Sequence, residues 1–234
     1  MNNLHNETKM KMIDMTQSVK YPKTWTKIYF KSYPRFEKIS LPKPRNTSVS
    51  LTKTLMMRKS SRSFSTPISI NDLSDLLFYG CGITNNKEDL NNTRRSYPSA
   101  GARYPLELYV IINNVSGLSK GIYHYDVLKH QLEFIRADNK LDKVDMAIRQ
   151  NFILDSSVIF LVSGVLSRTQ VKYGVRGYRY VLIEAGHVFQ NIHLVAESLG
   201  IGCCAIGGFD DDILNQILDL GDDEQIVYAG VIGK

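Results

Sequence analysis

The chain has 234 residues, 43% hydrophobic and 22% charged, which is an ordinary globular composition and enough length for one substantial domain. Its formal net charge is +6, and no run approaches the ~18 apolar residues of a membrane span. Cys81, Cys203 and Cys204 fit neither a disulfide framework nor a zinc motif, so a reduced, cytoplasmic protein with no metal and no membrane partner is expected.

Residues 1–50 read as a basic, irregular N-terminal arm. The first 62 residues hold 14 Lys and Arg against 3 Asp and Glu, whereas the remainder is acidic. Pro22, Pro34, Pro42 and Pro44 oppose regular structure there. Such an arm is either a solvated face or a lure for an acidic peptide, a partner subunit or a polyanion. No zinc finger, RNA-binding signature or basic heptad accompanies the charge, so no nucleic-acid partner is expected.

A folded domain is expected over residues 51–234. It opens with a helix after Ser50, in which Leu51, Leu55 and Met56 share a face. At its end, Arg58 and Arg62 flank Ser60, a pattern that could meet a phosphate with two forks and a hydroxyl, or simply answer the helix dipole. INDLSDLLFYG predicts a second helix, capped by Ser69 or Asn71 and ended by Gly80. Residues 84–105 form a long polar loop, within which Ser99-Ala100-Gly101 has no bulky side chain and lets backbone approach a flat ligand. No Gly-x-Gly-x-x-Gly or Walker sequence supports a dinucleotide or P-loop site.

Strands are predicted at Leu106 to Asn113, in a hairpin of GIYHYD and QLEFIR, and at Ser157 to Val165, with a helix around Leu141 to Gln150. A polar loop holding Lys172-Tyr173 leads to the strongest helix, Tyr178 to Leu199. That helix is apolar over most of its circumference, as in a domain centre or a subunit interface. Glu184, His187 and Asn191 make a polar stripe on it, either satisfied across an interface or, for His187, near a cofactor. The chain closes with CCAI, the turn Gly207-Gly208 with unobstructed N–H donors, a helix DDDILNQILDL and a strand QIVYAGVIG. Helices and strands mix without a βα repeat, so the fold class is α+β.

The order of the strings RKSSRSF, RRSYPSAGARYPLELYV, GIYHYD, KYGVRGYRYVLIEAGHVFQNIHLVAESLGIG and IGGFDD, from about Arg58 to Gly233, resembles the nitroreductase-like flavoprotein superfamily. More narrowly it is similar to the SagB/McbC-type dehydrogenases, which oxidise thiazolines and oxazolines in ribosomal peptides. The resemblance implies a nitroreductase-like fold, a central mostly antiparallel sheet flanked by helices, and a homodimer with active sites at its interface. It implies FMN, with Arg58, Ser60 and Arg62 on its phosphate and ribityl chain. Ser99, Ala100 and Gly101 match the loop that packs on the cofactor from the other subunit, and Gly207 and Gly208 match the turn whose N–H faces the flavin N5.

Lys172 and Tyr173 match the catalytic pair of that branch. Turning an azoline into an azole removes a Cα proton and a hydride, which needs a base on one side of the ring and a hydride acceptor on the other. A tyrosine is a poor base at a pKa of about 10, and a neighbouring ammonium favours its phenolate. The resemblance further implies a peptide substrate and a cyclodehydratase complex as partners. Members of that superfamily commonly carry a Lys or Arg pair beyond the last strand that also grips the phosphate, and here Lys234 is expected to stand in for it or the grip to be weaker. The alternatives are an NAD(P)H-dependent nitro- or quinone-reductase and a flavin-free scaffold subunit.

Overall fold

The computed structural model describes residues 2–9, 22–85 and 88–234. In chain order its elements are α1 (Asn2–Glu7), β1 (Lys38–Ser40), α2 (Leu51–Met57), β2 (Ile68–Ser69), α3 (Ile70–Cys81), β3 (Leu106–Ile112) and β4 (Val115–Ser116). There follow β5 (Gly121–Asp126), β6 (Gln131–Arg136), α4 (Leu141–Ile148), β7 (Val158–Val165), α5 (Leu166–Tyr173), α6 (Gly177–Ser198), β8 (Gly202–Ile206), α7 (Asp211–Leu218) and β9 (Glu224–Gly233). The α+β architecture is as expected.

Seven strands form one sheet in the order β1-β6-β5-β3-β7-β9-β8, every neighbouring pair antiparallel. β2 and β4 pair separately and in parallel. Alternation along the central strands divides the core. Leu108, Val110, Phe160 and Val162 point to the face covered by α3 and α6, where they meet Leu76, Leu77, Val188 and Ile192. Ile111, Ile122, Ile159 and Leu161 point to the opposite face, against Val144 and Ile148 of α4 and Leu214 and Ile217 of α7.

α3 starts in a capping box made by Ser69 and Asp72, one of the two caps expected. It does not end at Gly80. A Cβ there would lie 2.7 Å from Ile192, so the glycine admits α6 against α3 and does not stop the helix. The polar stretch before α6 is helical too: LSRTQVKY folds as α5.

The arm differs most from expectation, since it is neither irregular throughout nor simply a solvated face. Lys38, Ile39 and Ser40 pair with Glu133, Leu132 and Gln131 and add a strand to the sheet edge. The Lys31 ammonium reaches Glu224 at 2.5 Å, Lys38 reaches Glu133 at 2.8 Å, and Arg45 forms ion pairs with Asp72 and Asp75. Three of the arm's cations therefore answer carboxylates of the same chain.

Glu133 and Glu224 belong to a buried charge network across five strands. His124 lies between Glu133 at 2.8 Å and Glu107 at 3.1 Å, and Arg168 of α5 meets Glu107 at 2.6 Å. Burial pushes Glu107 up, but Arg168 and His124 outweigh it and hold the carboxyl at about 2. Burial likewise opposes ionisation of Glu133, and His124 and Lys38 bring it down to about 2.

Candidate active site

The structure gathers the expected site residues into two groups. The first lies along β8, an edge strand of the large sheet. Arg58 is the C-cap of α2 and is half-buried, while Ser60 and Arg62 are exposed. The segment is anchored where the Ser61 N–H donates to the Cys203 carbonyl at 2.9 Å. Gly207 and Gly208 leave the other end of the same strand, both exposed, and nothing lies within 4 Å of a Cβ placed on Gly208. Five residues of strand separate the two features, about 17 Å at the usual rise. Cationic forks stand at one end and bare N–H donors at the other, with Tyr178 and Leu182 of α6 beside Gly207. The Lys234 carbonyl accepts from the Ser65 and Thr66 N–H groups, which ties the end of the last strand to this segment. His193, buried on α6, is held below the usual imidazole range by burial and by Arg58.

The second group centres on residues 99–104. Gly101 has φ +59°, and the backbone stays left-handed at Ala102 (φ +52°) and Tyr104 (φ +46°). A non-glycine residue there costs about 1–2 kcal/mol, so surrounding contacts must impose the geometry. They are identifiable. Ser99 Oγ accepts the Tyr104 N–H at 2.8 Å, Arg168 donates to the Tyr104 carbonyl at 3.3 Å, and Glu184 of α6 accepts the Ala100 N–H at 2.9 Å.

Lys172 and Tyr173 meet this loop. A Cβ on Gly101 would lie 2.6 Å from the Tyr173 hydroxyl and 2.8 Å from Lys172 Nζ, so a side chain there would push the ends of both away. The pair ends α5 instead of lying in a loop, and Tyr173 departs from helical geometry at ψ +4°. That departure lets neighbouring side chains, normally splayed around a helix, both face Gly101. The expected phenolate is not favoured in the resting chain. Burial and Tyr180 push the Tyr173 phenol up, and the charge opposing them is Arg103.

Arg103 was not singled out by its position in the sequence, although it lies two residues beyond Gly101. It is fully buried and donates from Nε to the Arg168 carbonyl at 2.9 Å and from Nη1 to the Trp25 carbonyl at 2.8 Å. One side chain thus ties the arm, the glycine loop and α5. The polar stripe of α6 also resolves within the chain. Glu184 holds the loop and Asn191 donates to the Ser96 carbonyl at 3.1 Å, while His187 is exposed. Cys203 and Cys204 are buried, free thiols of β8. Among the described residues there is no cluster suited to a metal ion and no helix long and apolar enough to cross a membrane.

Residues 55–234 match the model of the nitroreductase family. A Methanocaldococcus jannaschii protein named as a nitroreductase is 35% identical over 179 residues, covering 76% of this chain and 88% of its own length. The microcin B17-processing protein McbC of Escherichia coli is 29% identical over 144 residues, 56% of this chain and about half (51%) of McbC. The E. coli microcin synthetase McbBCD complex with truncated pro-MccB17 bound contains a chain of the same fold. It superposes with a TM-score of 0.64 at 19% identity, over 100% of this chain and 91% of that one.

Proposed function

Because the chain belongs to the nitroreductase family, we propose that it is an FMN-dependent dehydrogenase that oxidises azoline rings to azoles in a ribosomally made peptide. The observation that carries this reading is the seating of Lys172 and Tyr173 against Gly101, in a loop held by strained backbone and buried polar groups. The likeness to McbC, a microcin-processing protein, supports a peptide substrate, and a cyclodehydratase complex is the partner proposed with it.

The donor set along β8 fits FMN. Arg58, Ser60 and Arg62 supply charge and hydroxyl for a phosphate, and the Gly207–Gly208 turn offers open N–H groups at the far end of the strand. When bound, the flavin supplies a hydride acceptor. Arg58 and Arg62 anchor the phosphate, and the glycine turn orients the ring by backbone donation. Lys172 and Tyr173 draw off the substrate Cα proton. Since Tyr173 rests as a phenol, Lys172 and the buried Arg103 cation must stabilise the phenolate as it forms.

The site takes two copies of the chain in this reading. Leu51, Leu55, Met56 and Met57 of α2 and Leu182 and Ile183 of α6 are exposed in the single chain, and a homodimer covers them. The second copy brings its Ser99–Gly101 loop to the cofactor.

Tyr173→Phe should retain FMN yet lose about 10²–10⁴ in azole formation, read as a peptide mass shift. Arg58→Ala or Arg62→Ala should instead release the flavin, while Lys59→Ala retains it. Full turnover in Tyr173→Phe would remove the pair from the chemistry. A second reading, an NAD(P)H-dependent nitro- or quinone-reductase, is favoured by the 35% identity to the M. jannaschii protein. Rapid anaerobic bleaching of the flavin by NADH and not by an azoline peptide selects it. A purified protein that takes up no flavin points to a scaffold subunit.

A further inference from the structure

Glu184 is the buried acid of the site that the proposed chemistry does not use. It projects from α6, is only 2% exposed, and accepts the Ala100 N–H through Oε1. The nearby Ser99 hydroxyl favours the ionised carboxyl, and its oxygen accepts the Tyr104 N–H at 2.8 Å. Its Oε2 is buried without a hydrogen-bond partner. The Tyr173 hydroxyl and Lys172 Nζ face the adjoining Gly101. The carboxyl and the Lys172–Tyr173 pair therefore meet the same short strained segment.

We propose that Glu184 is a positioning residue for the Lys172–Tyr173 site: its carboxylate holds residues 99–101 against that pair, and protonating it loosens the hold. The physical basis is the strength of bonds to a charged acceptor, about 1 kcal/mol more than to a neutral one. Burial disfavours the ionised form and the Ala100 N–H, the Ser99 hydroxyl and Arg95 favour it, which leaves the group near 7, about 7 in place of 4.5. The titratable groups around it are Arg95 and Tyr97 ahead of the loop, Tyr173 and Lys172 on α5, and Tyr180 and His187 on its own helix. The carboxyl therefore changes charge where Tyr173 stays a phenol. The proposal assumes that the pair is the reacting site, and its test does not.

Amide hydrogen exchange at Ala100, corrected for intrinsic rates, reads the hold directly without flavin or substrate. For a loop opening that leaves Glu184 buried, protection should rise about fivefold between about pH 6 and about pH 8, the fold-change of that difference in bond strength. Glu184→Gln keeps a neutral acceptor, so its protection should stay low and flat with pH. If that variant does not fold, Ser99→Ala removes a hydroxyl that favours the ionised carboxyl and should move the protection midpoint to higher pH. Protection that ignores pH in the unaltered protein, or rises equally in Glu184→Gln, overturns the inference. Turnover should show an acid limb near the same midpoint, absent in Glu184→Gln. A protein with the exchange behaviour but no azole formation upholds the loop hold and rejects the dehydrogenase reading.

Discussion

One face of the large sheet is sealed at one end by aliphatic helices and at the other by a basic arm over buried charge. Under α4 and α7, Ile111 and Ile159 meet Ile148 and Leu214, and no group needs a particular partner. Under the arm, Glu107, His124, Glu133 and Glu224 are buried, each bound to a cation or a hydrogen-bond donor. Both ends exclude water, yet they respond differently to damage. The aliphatic end loses contact area gradually, whereas the charged end fails when one partner leaves an uncompensated charge. The charged end also supports the site. Arg168 lies one turn before Lys172 on α5 and fastens that helix to Glu107.

The largest expected effect is therefore at Arg168. Arg168→Met leaves Glu107 with His124 as its remaining ion-pair partner and removes a donor to the Tyr104 carbonyl. Urea unfolding should show a loss of about 3–5 kcal/mol. At the aliphatic end, Ile159→Val should cost about 1 kcal/mol. Similar losses at both positions would break the comparison.

Two buried glutamates sharpen it with opposite signs. Glu107 is held at about 2 against an ordinary 4.5, so its contribution is full above 4.5 and is lost as pH falls towards 2. Glu184 is raised to about 7, so its contribution is full below 4.5 and is lost as pH rises through 7. Each amounts to about 3 kcal/mol. Glu184→Gln should accordingly gain stability relative to the unaltered protein between about pH 5 and about pH 8, read from urea midpoints. A difference that is flat over this range would mean that Glu184 is an ordinary carboxylate.

The same contrast explains what could be read from the sequence. β3, β7, α6 and α7 announce themselves because burial writes a continuous apolar run into the two strands and a helical period into the two helices. The charged end writes none. Lys38 meets Glu133 and Lys31 meets Glu224 across long stretches of chain, and neither partner signals the other locally. β1 was hidden for that reason, and α5 because LSRTQVKY has too little apolar character to look helical. Within the site, Arg58, Ser99–Gly101, Lys172–Tyr173 and Gly207–Gly208 stood out as strings. The meeting of Gly101 with Lys172 and Tyr173 did not, nor did the ties made by Arg103 and Glu184, since these depend on how α5 and α6 pack.

The smallest effect falls at Tyr109, and it tests whether the charged end tolerates loss of a neutral group. Its hydroxyl lies 2.7 Å from Lys31 Nζ, 2.9 Å from the Tyr33 hydroxyl and 3.1 Å from Glu224. Tyr109→Phe removes all three contacts, which by simple counting would be severe. The charges nevertheless remain paired: Lys31 still reaches Glu224 directly at 2.5 Å, and Ser163 still donates to Glu224 at 2.6 Å. Tyr33 is only half-buried and can turn its hydroxyl to water. The expected cost is about 1 kcal/mol, that of a net hydrogen bond. This is close to Ile159→Val and well short of Arg168→Met. A loss as large as that of Arg168→Met would show that Tyr109 is needed to hold the Lys31–Glu224 pair together.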